Sequence, residues 1–179
     1  LILSEYGKLY FHRYWHYEQR LLSIINQRFN NHFGASTSEH NNSHATNKQI
    51  GEDQKQAVEL SDRSTLSLIS GGPGTGKTTT VLHILAHLIA QNIATPLTIA
   101  LSTPTGKAAQ RIHYSLSSGI ISLNVSDAVK ALIPTEAVTL HRLLGYKRNS
   151  SQFQHNRDNP LPFDVVIVDE ASMLDLLMF

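Results

Sequence analysis

Cysteine is absent from the 179 residues, which excludes both a disulfide framework and a zinc site built from thiolates. A chain without cysteine is compatible with a reducing compartment, and we expect the cytoplasm. The sequence also lacks a run of about 18 uninterrupted apolar residues, the length that a membrane-spanning helix requires. The apolar part of the opening segment LILSEYGKLYFHRYW is too short for a signal peptide. These absences predict a soluble protein.

The net charge is also close to zero, at +1, so the chain has no global basic field of the kind that indicates nucleic-acid binding. Any contact with nucleic acid must therefore be local. The length suffices for one full hydrophobic core and a small second unit. Because the sequence starts at Leu1 and stops in an apolar run at Phe179, we expect an internal piece of a longer protein.

A polar tract separates two parts of the chain. Residues 30–47 are rich in Asn, Ser, Thr and His, which favours a mobile linker, with a surface loop inside one domain as the alternative. We assign residues 1–33 to the end of an N-terminal partner-binding domain, 34–48 to the linker and 49–179 to a second domain. In the first part, residues 8–15 alternate as a strand would, and residues 17–29 have helical spacing.

Helix and strand patterns alternate from Ile50 onward, which predicts an α/β fold with a parallel sheet flanked by helices. The last predicted strand has four consecutive β-branched residues, VVIV, which indicates a central strand covered on both faces. The predicted helices span residues 53–60, 77–91, 106–117 and 139–144, and the predicted strands span residues 66–70, 97–101 and 165–168.

The string GGPGTGKT matches the pattern G-x-x-x-x-G-K-[ST] and lies between a predicted strand and a predicted helix. Glycines allow successive backbone N–H groups to point inward, and the following helix directs its positive end at a phosphate. We assign Lys77 to the β- and γ-phosphates and the Thr78 hydroxyl to Mg²⁺, which prefers hard oxygen ligands. A turn that bound nothing would not need this lysine and hydroxyl in register. The predicted phosphate site consists of Gly71, Gly72, Pro73, Gly74, Thr75, Gly76, Lys77, Thr78 and Thr79.

Two carboxylates, Asp169 and Glu170, directly follow the strand VVIV. The carboxyl end of a parallel strand is where such a fold binds ligands. We expect Asp169 to hold Mg²⁺ through a water, and Glu170 to orient and deprotonate an attacking water. Taken alone, such a pair is more often a helix cap and its solvated neighbour, and its coupling to the phosphate loop favours the catalytic interpretation.

The nucleotide is predicted to be ATP. The nearest match to the guanine-specific pattern N-K-x-D is NKQI at residues 47–50, which ends in isoleucine and precedes the phosphate loop. Gln54 lies about 20 residues upstream of that loop, and a glutamine amide can pair with the N6 and N7 edge of adenine. The alternative for Gln54 is an ordinary exposed helix residue.

Four segments together resemble motifs I, Ia, Ib and II of superfamily 1 helicases of the RecD branch. They are GGPGTGKTTT (71–80), STPTGKAAQR (102–111), TLHRLLG (139–145) and DVVIVDEASMLDL (164–176). The N-terminal LYFHRYWHYEQRL is similar to the end of the first domain of exodeoxyribonuclease V alpha subunits. The resemblance therefore covers most of the chain apart from the polar tract.

This resemblance implies a P-loop NTPase fold, with residues 49–179 as the first RecA-like motor domain, cut off after motif II. It also implies a 5′ to 3′ ATP-driven helicase on single-stranded DNA in break repair and recombination, using Mg²⁺ and working beside beta and gamma subunits, with the nuclease in the beta subunit. The family's later motifs, including its arginine finger and second lobe, would lie beyond Phe179. We therefore expect the chain alone to bind Mg-ATP weakly and to unwind nothing.

Contacts with DNA are expected at two places, the turn after the strand predicted at residues 97–101 and the short helix predicted at residues 139–144. Hydroxyls, backbone N–H groups and a helix N-terminus can grip phosphates without reading bases, and an imidazole or a guanidinium can also stack on bases. The alternative for residues 103–107 is an ordinary strand-to-helix turn, and the alternative for His141 and Arg142 is an exposed helix face. The candidate residues are Thr103, Pro104, Thr105, Gly106, Lys107, His141 and Arg142.

Three other functional hypotheses remain open. A stand-alone RecD-like helicase or the helicase half of a conjugative relaxase would share these motifs. A nucleotide-dependent switch without translocation would keep the phosphate site and lack a second lobe. A structural subunit would be held in a complex by the aromatic segment 6–17, although those aromatics are more often the core of a preceding domain.

Overall fold

The computed structural model describes residues 2–3, 7–30, 50–148 and 153–178. After residue 50, helices separate each of its three strands from the next, as expected for a parallel sheet flanked by helices. The strands are β1 (Ile2–Leu3), β2 (Leu9–Tyr10), β3 (Ile99–Thr103), β4 (Ala137–Thr139) and β5 (Val165–Val168), and the helices are α1 (His12–Asn30), α2 (Glu52–Arg63), α3 (Lys77–Gln91), α4 (Gly106–Ser122), α5 (Asp127–Leu132) and α6 (Leu140–Leu143). Two short 3₁₀ helices, Ala171–Met173 and Leu176–Met178, follow β5.

The sheet that organises the second part of the chain is parallel and has the strand order β4-β3-β5. Thr103 at the end of β3 lies beside Thr139 at the end of β4. On the other side of β3, Ser102 lies beside Val168 at the end of β5. A parallel sheet flanked by helices confirms the predicted α/β fold class.

The core is formed by α3, α4 and α5 together with β3. Apolar side chains of these elements are buried because each helix has one apolar face at a spacing of three to four residues. The buried residues of this core include Leu82, Leu85, Ala86, Ile89, Leu101, Ile112, Leu116, Val129 and Ile133. The helices that position the site are therefore also the helices that hold the domain together.

Three helices begin at a hydroxyl residue that accepts a backbone N–H from the first turn. Thr105 accepts from Ala108 at 3.2 Å at the start of α4. Ser126 and Thr139 do the same for α5 and α6. Such caps satisfy donors that the helix itself leaves unpaired, typically stabilising it by about 1 kcal/mol each.

Asp164 fastens the amino ends of β3 and β5 to each other. Its Oδ2 atom accepts hydrogen bonds from the hydroxyl and the backbone N–H of Thr98, both at 2.7 Å. These two bonds, the hydroxyl first, hold the pKa of Asp164 below its ordinary value. The charged carboxylate therefore keeps the two strands in register at neutral pH.

Two predicted strands are wrong, and a third, predicted at residues 97–101, lies two residues later in the structure, at Ile99–Thr103. Residues 66–70 form no strand, because no described strand runs beside them and an isolated segment cannot satisfy its backbone groups by pairing. Residues 8–15 are extended only at Leu9–Tyr10, and α1 starts at His12. The alternation of aromatic and polar residues therefore does not form a long strand here, because a helix begins within it.

The position of β5 in the sheet also needs correction. Its bounds agree with the prediction, but among the described strands it pairs only with β3 and so lies at an edge. Val166 is 39% exposed, which does not fit a strand covered on both faces. Four β-branched residues indicate a strand, but they do not specify its neighbours.

The predicted linker at residues 34–48 lies outside the described residues, as do residues 1, 4–6 and 31–33 of the predicted N-terminal domain. The division into domains therefore stays a prediction. At the end of α1, the Arg28 carbonyl accepts a hydrogen bond from the Thr65 hydroxyl at 3.1 Å. No helix in the described part of the chain has the length and apolar character needed to cross a membrane.

Leu116→Ala tests the importance of the α3–α4 core. Leu116 is 0% exposed, and its truncation should lower the free energy of unfolding by about 2–5 kcal/mol, because it removes buried apolar surface and leaves a cavity. Urea unfolding gives the measurement. Ile121→Ala on the same helix is the matched control, since Ile121 is 81% exposed and should change stability little. Equal losses for the two variants would contradict this packing.

Candidate nucleotide-binding site

The glycine-rich loop places its backbone close to the start of α3. Gly74 and Gly76 have φ angles of 76° and 80°, a left-handed conformation that side chains rarely adopt. Gly76 immediately precedes α3, which begins at Lys77. The positive end of this 15-residue helix therefore points at the loop, as a phosphate site requires.

Lys77 reaches back across the loop. Its ammonium donates hydrogen bonds to the carbonyl oxygens of Gly71 at 2.7 Å and Gly72 at 2.8 Å. Thr75 also donates to the Gly72 carbonyl, at 3.0 Å. These contacts hold the loop closed around the lysine, and an anionic phosphate oxygen is a stronger acceptor than the carbonyls it would replace.

Gln54 lies against the loop although 22 residues separate it from Gly76. Its Nε2 atom donates to the Gly76 carbonyl at 3.3 Å, and its Oε1 atom accepts from the Gly51 backbone at 3.0 Å. A primary amide has two donor hydrogens and two acceptor lone pairs. Gln54 therefore keeps one donor and one acceptor for the edge of a base.

The hydroxyl residues after Lys77 have separate environments. Thr78 and Thr79 line the cavity beside the loop. Thr80 is buried, and its hydroxyl donates to the Gly76 carbonyl at 3.1 Å, which anchors the loop to the first turn of α3. Thr78 and Thr79 are thus the hydroxyl residues of the first turn of α3 on the cavity side, and Thr78 is the one predicted to bind Mg²⁺.

The acidic pair sits at the carboxyl end of β5. The backbone N–H of Asp169 donates to the backbone carbonyl of Ser102 at 2.9 Å, which continues the pairing between β5 and β3. Asp169 Oδ1 accepts from the Glu170 backbone at 2.9 Å. Glu170 has φ 55°, and it is the only non-glycine residue with positive φ among those that the structure describes. Such a conformation costs about 1–3 kcal/mol and is found at functional sites more often than elsewhere.

A cavity of about 710 Å³ opens between the loop and α4, within the range of about 300–1,000 Å³ usual for ligand sites. Its walls come from the loop and the first turns of α3 on one side and from α4 on the other. The lining includes Pro73 to Thr79, Leu82, His83, Arg111, Ser115 and Gly119. Asp169 and Glu170 are not in this lining, but Arg111 is, and its Nη2 atom is 3.2 Å from Glu170 Oε1.

Three basic side chains line the cavity, and they differ in charge. Burial lowers the pKa of His83, which favours its neutral form near pH 7. Lys77, whose acceptors are neutral carbonyls, is therefore the cation available to an anionic ligand, whereas Arg111 is already paired with Glu170. The predicted donor set for Mg²⁺ is one hydroxyl and one carboxylate, from Thr78 and Asp169, and of the two only Thr78 lines the cavity. Hard oxygen ligands of this kind fit Mg²⁺, which usually takes one or two carboxylates together with phosphate oxygens.

The predicted DNA contacts follow the two other strands. Thr105, Gly106 and Lys107 are exposed after β3, and His141 and Arg142 are exposed after β4. Because Thr103 pairs with Thr139, these two segments lie at one edge of the sheet. Pro104 is half-buried between them and the strand.

Thr103 differs from the other members of this set. It is fully buried, and its hydroxyl donates to the Thr105 carbonyl at 2.8 Å. A hydroxyl without exposed surface does not reach a DNA phosphate in this conformation. Thr103 instead shapes the turn that exposes Thr105 and Lys107.

Comparison with known proteins decides the family. Residues 54–179, more than half of the chain, match the family described as an AAA domain. The chain belongs to this family. The chain is also similar to the RecBCD enzyme subunit RecD of Haemophilus influenzae, at 38% identity over 185 residues, 97% of this chain and 29% of that protein. It is similar to the same subunit of Mycolicibacterium smegmatis, at 38% identity over 187 residues, 99% of this chain and 32% of that protein.

A further relative is the ATP-dependent RecD2 DNA helicase of Deinococcus radiodurans, 35% identical over 132 residues, 73% of this chain and 15% of that protein. These similarities confirm the resemblance to the RecD branch of helicases that the four motifs indicated. The chain spans less than a third of the length of each of these relatives.

Arg111 is the site residue that the sequence reasoning missed. It belongs to the segment STPTGKAAQR, and it follows Lys107 by four residues. Residues spaced by four lie on the same face of a helix. Lys107 is a predicted DNA contact, and this spacing indicates Arg111 as a second basic residue on the same face.

Lys77→Ala in the full-length protein should weaken nucleotide binding by about 1.5–3 kcal/mol, or roughly 10- to 150-fold in Kd, because a charge-assisted contact to phosphate is lost. Calorimetric titration with Mg-ATP gives the measurement. Lys107→Ala removes the same charge from an exposed lysine that does not line the cavity. An unchanged Kd for the Lys77 variant would show that this lysine does not bind the phosphates.

Proposed function

We propose that the protein is an ATP-dependent 5′ to 3′ DNA helicase that acts in double-strand-break repair and recombination, as a subunit of an exodeoxyribonuclease V complex. Its substrates are ATP and single-stranded DNA, and Mg²⁺ is its metal. In this proposal, residues 49–179 belong to the first of two motor lobes, and one lobe alone does not step along DNA.

One observation carries the proposal. The strands β4, β3 and β5 end at the same edge of the sheet, so the predicted DNA contacts and the predicted catalytic carboxylates leave neighbouring strands. β3 supplies the turn with Lys107 and also pairs with the strand that ends at Asp169. A movement of this edge on nucleotide binding would reach the DNA contacts directly, which is the coupling that a translocase needs.

The chemical roles follow from the side chains. Lys77 binds the β- and γ-phosphates, and Gln54 reads the adenine edge. Thr78 and Asp169 hold Mg²⁺, which neutralises charge on the phosphates when bound. Glu170 accepts the proton of the attacking water. Two contacts support these roles: Gln54 is hydrogen-bonded to Gly76, and Thr78 lines the cavity.

The roles at the DNA are non-specific. Lys107 and Arg142 supply charge to phosphates, Thr105 and Gly106 supply the turn at the N-terminus of α4, and His141 is exposed for stacking on a base. Pro104 lies in the same turn, and its ring fixes one backbone angle there. The near-neutral net charge agrees with a local interface of this kind rather than a broad basic surface.

The partners in this proposal are beta and gamma subunits, because the relatives from Haemophilus influenzae and Mycolicibacterium smegmatis are named as subunits of RecBCD enzymes. A DNA substrate would place the complex in the cytoplasm. The second candidate is a stand-alone helicase, favoured by the similarity to the RecD2 helicase. Purification of the full-length protein with or without stoichiometric partners distinguishes the two.

The central test is unwinding by the full-length protein. A duplex with a 5′ single-stranded tail should be unwound with ATP, and a duplex with a 3′ tail should not. Glu170→Gln should lower the DNA-stimulated ATPase kcat by about 10²–10⁴-fold, the usual contribution of a general base, with ATP still bound. Glu136→Gln, at an exposed position before β4, is the control. Nucleotide binding without any DNA-stimulated hydrolysis would favour a nucleotide-dependent switch.

The DNA contacts have their own test. Lys107→Ala and Arg142→Ala should each weaken binding of a mixed-sequence single strand and lower the salt slope of log K by about 0.7, because each variant removes one phosphate contact. Fluorescence anisotropy at several salt concentrations measures both quantities. Lys130→Ala is the control, since α5 leads into the opposite, amino end of β4. An unchanged slope for both variants would exclude this edge as the DNA site.

A further inference from the structure

Arg111 links the cavity beside the phosphate loop to the acidic pair at the end of β5. Its side chain lines the cavity beside the phosphate loop, and its Nη2 atom is 3.2 Å from Oε1 of Glu170. Glu170 itself is outside the cavity lining. Within the described residues, the Glu170 carboxylate has no hydrogen bond or ion pair to any other side chain.

The stability of the fold does not explain this contact. The Arg111 side chain is 72% exposed, and that of Glu170 is 27% exposed. Ion pairs open to solvent contribute only about 0–1 kcal/mol, because water screens the charges and two long side chains lose freedom. Removal of Arg111 should therefore leave the protein folded, and its contact with Glu170 concerns the position of the carboxylate.

That position matters because Glu170 starts from an unusual backbone. A residue with φ 55° directs its side chain differently from a normal strand or helix residue. The bond from its N–H to Asp169 fixes the backbone but leaves the carboxylate to be oriented by a side chain. Arg111 is on a rigid 17-residue helix, so it offers a fixed point for that carboxylate.

We propose that Arg111 is a positioning residue for Glu170, holding its carboxylate toward the cavity where the γ-phosphate binds. The inference rests on the function proposed above. In the hydrolysis step, the water oxygen bonds to the γ-phosphorus, and the bond from that phosphorus to the bridging oxygen breaks. The water proton passes to Glu170, so ADP and phosphate are the products. Arg111 does not touch the reacting atoms and acts through the carboxylate.

The test is Arg111→Gln in the full-length protein, in DNA-stimulated ATPase assays. We expect kcat to fall about 10- to 100-fold, because small displacements of a catalytic group have effects of this size. The KM for ATP and the Kd for Mg-ATP should stay within about twofold, since uniform binding is unaffected. Arg111→Lys should recover part of the loss. Gln110→Ala, the exposed neighbour on α4, should behave like the wild type.

A double variant separates positioning from a general structural role. In a Glu170→Gln background, Arg111→Gln should cause no further loss of single-turnover rate, because the group that it positions is already gone. An additive loss, a wild-type kcat for Arg111→Gln, or a large rise in the Kd for Mg-ATP would each overturn the proposal. Wild-type protein without DNA-stimulated hydrolysis would instead overturn the proposed function, and this inference with it.

Discussion

The parallel pairing of β3 with β4 on one side and with β5 on the other is the constraint on which the candidate site depends. Hydrogen bonds between strands set the register to the residue, so Thr103 must lie beside Thr139, and Ser102 beside Val168. Segments separated by more than 30 residues are thereby brought to one edge. The hydrogen bonds from Thr98 to the Asp164 carboxylate fix this register between β3 and β5 at the amino ends of the two strands.

The same helices carry the core and the site, on different faces. Ile112 and Leu116 of α4 are buried, whereas Lys107 and Arg111 are exposed on the other side of the helix. In α3, the first turn faces the cavity and the following turns supply Leu82 and Leu85 to the core. Burial of the apolar faces therefore fixes the distance between the phosphate loop and Arg111 without using the polar residues.

The elements that the sequence predicted well are those with a strong local signal. The helix at residues 77–91 and the strand at residues 165–168 have the bounds that their patterns indicated, because a glycine-lysine start and a run of β-branched residues are both short-range features. The predicted strand at residues 66–70 failed because strand formation needs a neighbour that local pattern does not supply. The contact between Arg111 and Glu170 joins residues 59 positions apart in sequence, and local sequence patterns do not predict contacts over such a separation.

The partners of the two cations in the cavity explain a division of roles between them. Lys77 is held by two neutral carbonyls, and Arg111 is held by a carboxylate. A phosphate oxygen displaces a neutral acceptor readily, because an ammonium is attracted by the full charge of an anionic oxygen but only by the dipole of a carbonyl. It gains far less by displacing Glu170 from Arg111, where one anion would replace another. An entering triphosphate therefore replaces the loop carbonyls as the acceptor for Lys77, while Arg111 stays paired with Glu170. Lys77 then binds the nucleotide, and Arg111 keeps the carboxylate in place.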